Sequence, residues 1–146
     1  MMSYSTWCTN GYGACVDTLD FTLENLENLI SRAPEFESEL KTYFAESGIV
    51  NPDIDDYLDY DEDYHGGIAF ILQRVIKEAE NVELCYVNNF DSDWYLLLEP
   101  SYPWYKISDE EKRLTEKTVK EIMKKYIAIL STQELDFDYQ SVENGG

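Results

Sequence analysis

Between Asp53 and Asp63 the chain reads DIDDYLDYDED: seven carboxylates, no basic residue, and Tyr57, Leu58 and Tyr60 set among them. No protein interior accepts that density of charge, because desolvating an ionised carboxylate without a close partner costs several kcal/mol or more. The stretch must therefore lie at the surface, and the segments on either side must build the core. Its own helix propensity is poor, since aspartate and tyrosine are indifferent helix formers and like charges three and four residues apart repel. Packing of the tyrosines, or a bound partner, has to supply its order. Asn51-Pro52 favours a turn and Asp53 suits the cap of a helix running towards Asp63. On such a helix Tyr57, Tyr60 and Tyr64 share one face. Asp55, Asp59 and Glu62, with Asp56 and Asp63 nearby, form a carboxylate band beside them.

The flanking segments carry clear periodicity. Residues 3–16 mix Tyr, Thr, Trp, Cys and Val with Asn10-Gly11 and Gly13, which predicts a strand or a short hairpin turning at Asn10-Gly11. Gly13 there marks a bulge or a close backbone approach. Leu23, Leu26, Leu29 and Ile30 recur at helical spacing after a capping Asp20 or Thr22. Pro34 opens a second helix with Phe36, Leu40, Tyr43 and Phe44 as its stripe, ended by Gly48, so the two should pack as a helical hairpin. After Gly66-Gly67, IAFILQRVIKEAE reads as the most buried helix, its Arg74 and Lys77 placed to neutralise part of the acidic band. VELCYV (82–87) and WYLLL (94–98) make a β-hairpin whose second, continuously apolar strand belongs in the middle of a sheet. SYPWY (101–105) forms an aromatic loop over the core edge. Ser108 and Glu111 make a capping box for a helix running to about Leu130, with Leu114, Val119, Ile122, Met123, Tyr126, Ile127 and Leu130 inward. Leu135, Phe137 and Tyr139 alternate as in an edge strand, and the last residues look frayed. The expectation is one α+β domain over residues 1–146, several helices packed on a small antiparallel sheet, with a long C-terminal helix.

Charge narrows the function classes. The chain has 11 basic and 30 acidic residues, net −19, and residues 1–105 hold 4 basic against 21 acidic side chains while residues 106–146 hold 7 against 9. Acidity of this size is a route to solubility, but it also repels nucleic acid and anionic membranes and accelerates encounter with basic proteins. Cys8, Cys15 and Cys85 are odd in number and lack metal-type spacing, and the first residues lack the pattern of a secretory signal. A cytoplasmic protein is expected, without membrane or direct nucleic-acid binding, as a monomer or a dimer.

Tests for chemistry fail one by one. Asp59, Asp61 and Asp63 match positions one, three and five of a calcium loop, but Tyr64 stands where the loop needs glycine and Phe70 where it needs a bidentate glutamate. The glycines near the start lack the following helix of a phosphate-cradling loop. His65 is the single histidine, so a small hydrolase could use only Cys15 or Cys8 with His65, against the simpler reading of buried cysteine and a histidine in a turn. No enzyme, cofactor or metal is expected.

Recognition remains. Carboxylates at helical three and four spacing lie about 5–6 Å apart between Cβ atoms, a scale comparable to phosphates along one nucleic-acid strand. The expected partner-binding residues are Asp53, Asp55, Asp56, Tyr57, Asp59, Tyr60, Asp61, Glu62 and Asp63, with the tyrosines as anchors because exposed ion pairs alone contribute only about 0–1 kcal/mol each. The glycine-bearing start NGYG, the acidic middle, the LLLEPSYPW segment, the Ser-capped helix and the ending DYQSVENGG together resemble small uncharacterised acidic proteins of phages and mobile elements of Gram-positive bacteria. That resemblance implies no activity or site. In size and charge the chain is also similar to anti-CRISPR inhibitors, several families of which mimic nucleic acid. The expected function is an acidic inhibitor that occupies the basic groove of a nucleic-acid-processing protein, a CRISPR-associated nuclease first among them. The alternative is an immunity protein or antitoxin against a basic toxin.

Overall fold

WYLLL sets the architecture, because its adjacent residues Leu96 and Leu97 point to opposite faces of a strand and both are fully buried. A strand apolar on both faces suits the interior of a sheet, and strands pair with it on both sides. In the computed structural model, which describes residues 7–60, 67–88, 93–98 and 109–144, the sheet is β1 (Trp7–Cys15), β2 (Cys85–Asn88), β3 (Trp94–Leu98) and β4 (Asp138–Asn144). Their order is β2-β3-β1-β4, all pairs antiparallel. Five helices complete the described chain: α1 (Leu23–Ile30), α2 (Pro34–Glu46), α3 (Ile54–Leu58), α4 (Gly67–Glu80) and α5 (Asp109–Leu130). The fold is a single α+β domain with a long C-terminal helix, as the periodicity predicts.

The predicted hairpin at Asn10-Gly11 does not form. β1 runs straight through that pair because both residues are taken up by the ladder to β4, Asn10 opposite Ser141 and Gly11 opposite Gln140. Tertiary pairing overrides a local turn preference here. The glycines serve the other expected role, close approach. A Cβ on Gly13 would sit 1.9 Å from the Leu96 carbonyl oxygen, and one on Gly11 would lie 2.7 Å from that of Leu98 and 3.0 Å from the Leu97 Cβ. Leu97 thus fills space that the two glycines leave open. β2 and β4 approach within 8 Å between Cα atoms although two strands separate them. Three flat strand spacings would hold them about 14 Å apart, so the sheet is strongly rolled.

The other face of β3 meets the helices. Leu96 joins Leu26, Leu29, Phe36, Leu40, Ile71, Leu72, Ile76, Met123 and Leu130 in one core, and among the described residues no polar or charged side chain is buried. Thr22 caps α1 by accepting the Asn25 N–H at 3.1 Å. The start of α2 has no side-chain cap of its own, since Ala33 stands there, and Glu78 of α4 supplies one by accepting the Glu35 and Phe36 N–H groups, each at 2.9 Å. Gly48 closes α2 at φ +74°. α5 shows Val119, Met123, Tyr126, Ile127 and Leu130 buried and Ile122 partly buried; the Leu114 side chain and Ser108 with its capping box lie outside what is described, as do SYPWY and the last two glycines. β4 starts at Asp138 and continues to Asn144, opposite Trp7. Among the described residues no helix is long and apolar enough to cross a membrane.

Gly13→Ala should cost about 2 kcal/mol or more, because the added methyl meets backbone rather than a movable side chain. Urea unfolding reads this directly, with Gly48→Ala as a comparison in which only the positive φ is strained, at about 1 kcal/mol.

Candidate partner-binding surface

The acidic stretch folds differently from a helix spanning 53–63. α3 ends at Leu58, with Asp59 as its C-cap and Tyr60 in the turn that follows. Like-charge repulsion and weak propensity limit it to little more than one turn. Its start is well made: the Asp53 side chain accepts the Asp56 N–H and the Asp56 side chain accepts the Asp53 N–H, each at 2.9 Å, a reciprocal capping box. Two carboxylates of the stretch are thereby committed to backbone, while Asp55 and Asp59 are exposed. Asp61, Glu62 and Asp63, with Tyr64 and His65, lie outside the described residues.

The tyrosines face inward more than an anchor role requires. Tyr57 is only 9% exposed, packs edge-on against Phe44 at 5.0 Å between ring centroids, and donates to Glu27 Oε2 at 3.0 Å. Tyr57 is therefore part of the core, a correction to its reading as a contact residue. Its alternation with aspartates puts a phenol in contact with both apolar rings and a carboxylate, which is how a tyrosine satisfies burial. Tyr60 is half-buried in a chain of rings, 4.9 Å from Tyr43, 6.1 Å from Phe36 and 6.2 Å from Phe70, and Phe70 continues it to Tyr86 and Trp94. Of the two described tyrosines, Tyr60 alone keeps an edge for a partner.

Arg74 does not neutralise the described acidic band. Its guanidinium pairs with Glu39 of α2 at 2.6 Å and lies 4.7 Å from the centre of the Phe36 ring, while Lys77 pairs with Glu83. Among the described residues no cation pairs with Asp53, Asp55, Asp56 or Asp59. From Asp17 to Tyr60, all of it described, twelve carboxylates stand against Arg32 and Lys41, and ten of the twelve are exposed. Half of the twelve lie on α1 and α2 rather than on the aspartate run, and sequence reading missed them because glutamates on a helix's outer face look like ordinary solvation.

Two grooves lie in this region, the first along α2 and the second beside α3. One, of about 650 Å³, runs between Glu35, Glu39, Tyr43, Glu46 and Tyr60 and already contains Arg74. The other, of about 460 Å³, is lined by Leu19, Phe21, Ile54, Leu58, Ile68 and Trp94. No three metal-ligating side chains converge among the described residues. Cys15 is half-buried, and burial, with Asp93 and Asp17 nearby, pushes its thiol above the usual range. That is the opposite of the activation a nucleophilic thiol needs. The side chain of Cys8 lies outside the described residues. No protein family, curated protein or solved structure matches the chain.

Burial, then the hydrogen bond to Glu27 and the charges of Glu27 and Glu37, push the Tyr57 phenol up to about 12. A raised folded-state value means stability that is complete below the ordinary tyrosine value near 10 and lost as pH rises through 12. Tyr57→Phe should therefore cost about 1 kcal/mol at neutral pH through the lost hydrogen bond, yet flatten the fall in stability between about pH 10 and 12. Denaturant unfolding across that range checks both signs.

Proposed function

We propose that the chain is an acidic binding protein that inhibits a nucleic-acid-processing partner by occupying its basic groove, with a CRISPR-associated nuclease as the first target to test. The observation that carries this reading is the ten exposed carboxylates between Asp17 and Tyr60, a span that holds two cations of its own, with Arg74 of α4 added at Glu39. α1, α2 and the α3 turn hold eight of these ten acids on a packed scaffold, with Leu26, Leu29, Phe36, Leu40, Phe44 and Tyr57 beneath. A preordered array of charge gains more on binding than a flexible acidic tail, because less side-chain and backbone freedom is lost. Asp55 and Asp59 are the contact carboxylates of the aspartate run, whereas Asp53 and Asp56 keep the turn in shape. The contact surface extends over Glu35, Glu39 and Glu46 of α2 and the edge of Tyr60.

Fast, salt-sensitive association is the expected signature. In capture from a bacterial lysate, the bound protein should be a nucleic-acid-binding protein released by duplex DNA and by raised salt. Changing Asp55, Asp59, Glu35 and Glu46 together to their amides should weaken binding of that partner by about tenfold or more, at about 0–1 kcal/mol per exposed pair, without moving the melting temperature much. A partner that DNA fails to displace, or that binds the amide variant equally well, sinks the mimic reading.

A further inference from the structure

The groove between α3, α4 and β3 does not follow from charge mimicry. Its floor is Leu19 and Ile68, each 6% exposed, and its walls are the half-buried Phe21, Ile54, Leu58 and Trp94. Ile54 and Leu58 stand four residues apart on α3, so they present one apolar edge while Tyr57 turns into the core and Asp55 and Asp59 turn to solvent. A volume of about 460 Å³ lies within the roughly 300–1,000 Å³ typical of ligand sites. Asp17 and Asp20, both exposed, stand at the rim, and no basic residue lines the groove among the described residues.

We infer that this groove seats an apolar side chain from a basic, amphipathic segment of a partner protein, with the lysines or arginines flanking that side chain meeting Asp17, Asp20 and Asp55. Charge complementarity selects this occupant. A neutral apolar segment would leave the acidic rim uncompensated, and a second copy of the chain would bring a net −19 against another −19. Asp17 supports the same choice. Its carboxylate accepts the Trp94 N–H, which fixes it at the groove edge, and partial burial followed by the neighbouring Asp93 raises its pKa, so a cation arriving at the rim meets more than one negative charge. Helix-in-groove recognition combines the two terms in this way: basic flanks give the rate and the apolar anchor gives the residence time. The inference rests on the proposed function for the sign of the partner's charge, though not for the apolar anchor.

The test uses the full chain and three synthetic helical peptides of equal length: one amphipathic with leucine and lysine, one with glutamine in place of leucine, and one with glutamine in place of lysine. The leucine and lysine peptide should bind about tenfold or more tighter than the glutamine and lysine peptide, since one seated apolar side chain is worth that much. NMR shifts should fall on the Ile54, Leu58 and Ile68 methyls and the Trp94 indole. Ile54→Ser with Leu58→Ser should erase the difference between those two peptides while leaving binding of the lysine-only peptide unchanged. The shift map of the unaltered chain keeps the test decisive if that variant unfolds. Equal binding of both lysine peptides, with shifts outside the groove, overturns the inference and leaves the acidic-surface reading standing. Binding of the leucine peptide without its lysines, at undiminished strength and insensitive to salt, keeps an apolar site but overturns its basic occupant and the mimic reading together. Groove shifts that appear on concentrating the protein alone identify a second copy and also overturn it.

Discussion

With thirty carboxylates the acids of this chain outnumber its eleven cations nearly three to one, and the described contacts answer that shortage. Where a carboxylate does touch the structure, its donor is often neutral. Glu78 takes two backbone N–H groups at the start of α2, Asp53 and Asp56 take each other's, Glu27 takes the Tyr57 phenol, and Glu116 takes that of Tyr139. Glu80 accepts from Tyr126 at 2.5 Å as well as from Lys125 at 3.1 Å, and both bonds lower its pKa, the phenol foremost. Neutral donors satisfy a carboxylate without cancelling its charge. The molecule therefore keeps an acidic surface and still ties its helices together.

The same economy explains α3. A single turn of helix is too short to hold itself, and each of its residues has a distinct task. Asp53 and Asp56 close the turn on itself, Tyr57 fastens it to α1 and α2, Ile54 and Leu58 face a groove, and Asp55 and Asp59 face water. Charge on the outside and apolar side chains at the edge give one short element both parts that a protein interface needs, steering and anchorage.

Much of this was legible in the sequence because it depends on period. The helices of α1, α2, α4 and α5 follow the 3.6-residue spacing of Leu26, Leu29, Phe36, Leu40, Ile71, Leu72, Val75, Met123 and Leu130, and the unbroken apolar run of β3 predicts its central place. What escaped was set by contacts distant in sequence. Asn10-Gly11 has the local chemistry of a turn, and only the ladder from β4, some 130 residues on, keeps it straight. The acidic stretch was recognisable as a surface, but a helical projection to Asp63 overestimated its length and turned its tyrosines into contacts. A projection shows which residues share a face and cannot show that Phe44 and Glu27 wait on that face for Tyr57. The glutamates of α2, spread through an ordinary amphipathic pattern, gave no local signal that Glu35, Glu39 and Glu46 would line one groove with Tyr60.

The rolled sheet bears on how such a chain behaves when crowded. An open four-stranded sheet offers two free edges to passing strands, the usual start of edge-to-edge aggregation. Among the described strands one edge, β2, is only four residues long, and the other, β4, opens with Asp138. The curvature that Gly11, Gly13 and Leu97 permit also draws these two edges towards each other, leaving an incoming strand no long flat border to extend. A net charge of −19, which repels other copies of the chain, works in the same direction.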